Sequence, residues 1–282
     1  MTAVVLNRDR TPHRASPPIP LTRITTVELR KMFDTRSGFW LIASIGITAV
    51  LAAVVAVAGY VGVLPLAVVA AVLVVLLAAG WPALAGLPFT PGAGAVVALG
   101  GLGSVAAVTF TAEQPYLQHM ALVFAGAVVL AFVNELLRRD GRLRMVESVS
   151  GTVAGTVLAV CVTGWVATAR LEGGAELVVA GAVALALGSA VVALRARRWL
   201  VYLITVAAAT GGGTLVGWLL PAVELVAGCA LGVGIGLLVA ALDALFDQFP
   251  ALARRLPSIA VTVVPVTVSG LLVYVAGRVL AG

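Results

Sequence analysis

Apolar residues run along most of this chain in stretches of about twenty, the length that carries a helix through the hydrocarbon core of a bilayer. They are separated by short polar breaks, and this pattern constrains the fold more than any motif does. Composition agrees. Of the 282 residues, 61% are hydrophobic and 11% charged, against roughly 45–50% and 25% in a soluble domain, so too few charges remain to coat a soluble fold. The predicted class is all-α, a polytopic helical membrane protein with about nine transmembrane helices. Its partner is first of all the lipid bilayer. The predicted domains are a tail over 1–37 and a transmembrane helical domain over 38–282.

The predicted spans are Gly38–Ala58, Leu64–Gly80, Gly94–Thr111, Leu117–Leu137, Ser148–Ala169, Leu177–Leu194, Trp199–Leu219, Ala222–Leu242 and Pro257–Leu280. Orientation follows from Lys and Arg, which are enriched in cytoplasmic loops. With nine spans and the N-terminus inside, sixteen of the eighteen basic residues become cytoplasmic and only Arg170 and Arg278 lie outside. The expected topology is therefore N-in/C-out, in a bacterial cytoplasmic membrane. The same bias accounts for the net charge of +6 without nucleic acid as a partner. No cleavable signal peptide is expected, because the first apolar run is of full span length.

The tail opens with a Pro-rich stretch from Arg8 to Pro20. Leu21 to Arg36 then reads as a helix, with Leu21, Ile24, Leu29 and Met32 on one broad side and Arg23, Arg30 and Asp34 opposite. A basic amphipathic helix beside a span lies in the headgroup layer. It acts either as an anchor for the first span or as a partner contact through Glu28, Arg30 and Lys31.

Within this tail Glu28, Leu29, Arg30 and Lys31 lead through Thr35, Arg36, Ser37, Gly38 and Phe39 to Trp40. The segment resembles the N-terminus of actinobacterial type-2 ABC exporter permeases, where an interfacial helix leads into the first span. The resemblance implies a permease-like membrane subunit of an export system. With no ATP-binding motif of its own, such a subunit requires a separate cytoplasmic ATPase. It covers about a seventh of the chain. Those permeases have about six spans, an external segment after the first and a cytoplasmic coupling loop after the second; this sequence has almost no loop after its first. The remainder resembles actinobacterial multi-span membrane proteins that carry no function over, so the alternative is a non-catalytic membrane scaffold or cell-envelope protein. A lipid-handling enzyme ranks third. Substrate, direction and oligomeric state are not written in the sequence.

Ionisable residues deep in the bilayer would point to function, and the sequence places almost none there. Glu135, Glu147 and Asp243 fall near predicted cytoplasmic ends, and Glu113, Glu172, Glu176 and Glu224 near external ones. The segment from Asn134 to Ser150 is the densest polar feature. Its Arg138, Arg139, Arg142 and Arg144 read either as a solvated topogenic loop or as a contact for an ATPase or anionic headgroups. Asp243 and Asp247 share a helix face, but no His or further carboxylate joins them as a metal site. No cofactor, metal or catalytic residue is expected, since zinc-protease, phosphate-loop and nucleophile-elbow signatures are missing. His13 and His119 have no evident partner, and Cys161 and Cys229 sit within apolar runs.

Glycines four apart, as at Gly151 and Gly155, Gly213 and Gly217, and Gly228, Gly232 and Gly236, let helix backbones approach closely in lipid. Thr210, Gly211, Gly212, Gly213 and Thr214 also admit a second reading, in which the span unwinds locally and frees backbone groups for a ligand. Pro265 would kink a second span at comparable depth, giving a small intramembrane cavity between them. The five tryptophans, Trp165 among them, fall mostly near span ends, as interfacial anchors do.

Overall fold

A computed structural model describes residues 46–138, 144–192, 194, 196–220, 223–246 and 255–280. Among them the secondary structure is helical, in ten segments: α1 Gly46–Val61, α2 Val63–Leu84, α3 Thr90–Phe110, α4 Met120–Leu137, α5 Met145–Cys161, α6 Thr163–Ala169, α7 Gly174–Val192, α8 Arg198–Leu219, α9 Leu225–Phe246 and α10 Arg255–Leu280. Eight helices are long and apolar enough to cross a membrane, with α5 and α6 together forming one of them. α1 is a shorter apolar helix over its described residues. The amphipathic segment Leu21–Arg36, Trp40 and the start of the first predicted span lie outside the described residues.

Several predicted edges move. The second span continues past Gly80 to Leu84 through Pro82. Pro82 removes the N–H that would have met the Ala78 carbonyl. That carbonyl instead lies against Gly94 of α3, only 2.9 Å from where a Cβ would stand, a packing open only to glycine. α3 begins at Thr90 rather than Gly94, with Pro91 in its first turn, where a missing N–H costs nothing. The fifth span, expected as one helix over Ser148–Ala169, divides at Val162. There the Val162 and Trp165 amides reach back three residues instead of four. This tighter turn brings Gly164 against the backbone of Gly270 in α10, where no side chain would fit.

Consecutive helices alternate in direction, with α5 and α6 counted as one. At one end, Arg144 before α5 donates to the Gly86 carbonyl between α2 and α3 (3.4 Å), and Gly80 of α2 packs on Leu256 and Ala260 of α10. At the other, Gly59 meets Val178, Gly277 meets Leu177, and Arg278 reaches Gln114. α1 and α2 turn at Gly62 alone, with φ 150°.

α10 is central, touching α2, α5, α6, α7 and α9. Trp165 does not anchor an interface as its position suggested. Its ring is fully buried and its indole donates to the Val266 carbonyl of α10 at 2.8 Å. Thr48 of α1 donates to the Thr262 carbonyl at 3.0 Å, within the turn that Pro265 disturbs, as hydroxyls of neighbouring helices do beside membrane prolines. Trp199 and Trp218, exposed near the two ends of α8, do fit the interfacial pattern.

Candidate functional site

The expected unwinding of Thr210, Gly211, Gly212, Gly213 and Thr214 does not occur. α8 is continuous through all five. The Thr210 and Thr214 hydroxyls donate to the Val206 and Thr210 carbonyls, each at 2.7 Å, and Gly213 lies on the backbone of Gly228 in α9. Gly212 and Gly213 thus serve helix contact, Gly212 against Leu187 of α7, while Gly211 has nothing within 4 Å. α8 packs chiefly on α7 and α9, and those two helices are also neighbours of α10, which carries Pro265. One cavity among the described residues is a groove of about 500 Å³ over α2, between α3 and the start of α10. It is lined chiefly by small apolar groups such as Ala78, Ala79, Ala83, Gly94 and Ala95, with Leu256 at its edge.

The chemistry gathers at the end shared by Gly86, Arg144 and Leu256. Glu135, in the last turn of α4, is only 3% exposed. Its carboxylate accepts from Arg138 Nη1 at 2.6 Å through Oε2 and from the Ser148 hydroxyl of α5 through Oε1. Arg138 is buried with it, at 7% exposure. Asn134, at 9%, presses its Oδ1 against Gly92 of α3, while its Nδ2 has no hydrogen-bond partner among the described residues. The ends of three helices thus meet on one buried ion pair. The sequence placed Glu135 near a span end and Arg138 in a solvated loop; the structure buries both. The pair was visible as a Glu with an Arg three residues on, a spacing that puts both on one helix face. Ser148, thirteen residues from Glu135, gave no local signal.

Arg144 stands apart from this cluster. It adopts φ 57°, is exposed, and pairs with Glu147. Arg139 and Arg142, like Glu28, Arg30 and Lys31, lie outside the described residues, so this structure does not place those candidate contacts. At the opposite end Arg170 stacks over Tyr116, 4.1 Å from the ring centroid, and donates to the Val108 carbonyl in the last turn of α3. A cation there meets the negative end of the helix dipole, so Arg170, one of the two arginines expected outside from the sequence, is a structural clamp.

Asp243 of α9 lies within electrostatic reach of Arg198 at the start of α8. Asp247, its expected companion, lies outside the described residues. No group of three or more metal-ligating side chains occurs among the described residues, and Cys161 and Cys229 are free thiols.

Among the described residues, fold and site define an all-helical protein with eight helices long and apolar enough to cross a membrane and a buried ion pair at a helix-end junction. Comparison with protein-family models, curated proteins and solved structures gives no match to this chain.

Proposed function

We propose that the chain is a nine-span, N-in/C-out protein of a bacterial cytoplasmic membrane, in which α1 completes the first span and the end bearing Glu135 and Arg144 faces the cytoplasm. The supporting observation is the sorting of charge by the weave. Arg138, Arg144, Arg197 and Arg198 fall at one end of their helices, Arg170 and Arg278 at the other, and the basic end is the cytoplasmic one. Reporters fused after Arg144 and after Glu172 are expected to read cytoplasm and exterior respectively. Both on one side would falsify this topology.

In this reading the chain is a permease-like membrane subunit of an ABC export system and works with a separate ATPase. The resemblance of Glu28–Trp40 to exporter permeases motivates it. The tether from Arg144 to Gly86 supports it, because it joins two cytoplasmic connections into one rim that can register a partner. Co-expression with an ATPase encoded beside it should yield a complex, which Arg30→Glu with Lys31→Glu should weaken at least severalfold. Topology reporters must confirm insertion, because removing these charges can itself flip the first span. If the correctly inserted variant retains the ATPase as well as the unchanged protein does, the helix is only an anchor. The second reading, a non-catalytic membrane scaffold, is favoured by the close backbone seam between α8 and α9, which suits a rigid body better than a moving one.

A further inference from the structure

We infer that Glu135, Arg138 and Ser148 form a latch that holds α4 in the bundle, and that α4 swings away from α3 and α5 when this latch opens. α4 is the least buried of the eight long helices, with 22% of its span inside the protein against 33–56% for the others. It packs against α3 and α5, and its buried residues are Ala127, Ala131, Asn134 and Glu135. Between helices in lipid there is no hydrophobic gain, so contact area and polar bonds decide association. Besides Ala127 and Ala131 only Met120, Val123 and Phe124 of its apolar side chains are even half-buried, so the apolar contact of α4 is sparse. The polar bonds to α5 come through Glu135, at one end of α4, and that geometry makes this end the catch and the far end the hinge.

The closed state is also imperfect. Asn134 faces Gly92 of α3 with its Nδ2 buried and without a partner among the described residues, which costs free energy that opening toward headgroup water recovers. Two arrangements therefore lie close enough in energy to exchange. Arg138 begins the connection from α4 to α5, so anything that binds that connection acts directly on the catch.

The test is a distance measurement between spin labels in the full chain in nanodiscs, with Cys161 and Cys229 replaced by Ala. One label pair joins Phe132→Cys on α4 to Leu203→Cys on α8. A control pair joins Leu203→Cys to Leu237→Cys across α8 and α9. All three positions are exposed. Glu135→Ala with Arg138→Ala removes the latch without stranding a buried charge. The expected result is a second, longer-distance population for the α4 pair and an unchanged control. An unchanged α4 pair overturns the inference. Broadening of both pairs overturns it as well, because the cluster would then hold the whole bundle rather than α4.

Discussion

Gly213→Leu is expected to abolish the folded protein, whereas Gly211→Leu, two residues earlier in the same glycine run, should leave it intact. A Cβ at Gly213 would collide with the Gly228 carbonyl and come within 3.2 Å of the Gly232 Cα. Both obstacles are backbone, so no rotamer change relieves them. Overpacking costs about 1–3 kcal/mol where side chains can shift, and this site should exceed that range. Around Gly211 nothing lies within 4 Å, and Gly lies roughly 0.8–1 kcal/mol behind Ala as a helix former, with Leu ranked next to Ala. Thermal unfolding in detergent, followed by tryptophan fluorescence, separates the two outcomes. Equal melting of the two variants would remove the α8–α9 seam as a determinant of the fold.

A second large effect is expected at the buried ion pair. Arg138→Leu leaves the Glu135 carboxylate inside the protein with the Ser148 hydroxyl as its remaining described partner. Breaking one side of a buried pair costs about 3–5 kcal/mol, which lowers the melting temperature by on the order of 10 °C. Replacing both residues by Leu should restore most of the loss, because an apolar pair of similar volume often replaces a buried ion pair without penalty. The comparison of single and double variants is the measurement. A single variant that melts like the unchanged protein would mean that the carboxylate reaches water after all.

The helices were legible in the sequence because span length and apolar runs are local properties, and so was the sorting of Arg138, Arg144, Arg197 and Arg198 to one end. Long-range packing was not. That Trp165 is core rather than anchor depends on Val266, a hundred and one residues away. That Gly213 serves contact rather than unwinding depends on Gly228. Glu135 looked like a span-end carboxylate, and its burial is decided by Ser148 and by the junction of α3, α4 and α5. Residue spacing carries no information about such partners.

Two sets of close backbone contacts in the bundle also imply an order of assembly. α8 and α9 are neighbours in the chain, so their glycine seam can zip as a hairpin soon after both have left the ribosome, at little loop-closure cost. α10 is different. It is the last of the described helices to be made, yet it supplies the Val266 carbonyl for Trp165 and the face on which Gly80 and Gly164 rest. Until α10 arrives, the Trp165 indole N–H lacks its Val266 acceptor, and Gly80 and Gly164 lack the backbone they rest on. During biogenesis the bundle therefore passes through an incomplete intermediate that insertion chaperones or membrane proteases can recognise, and synthesis of α10 completes it.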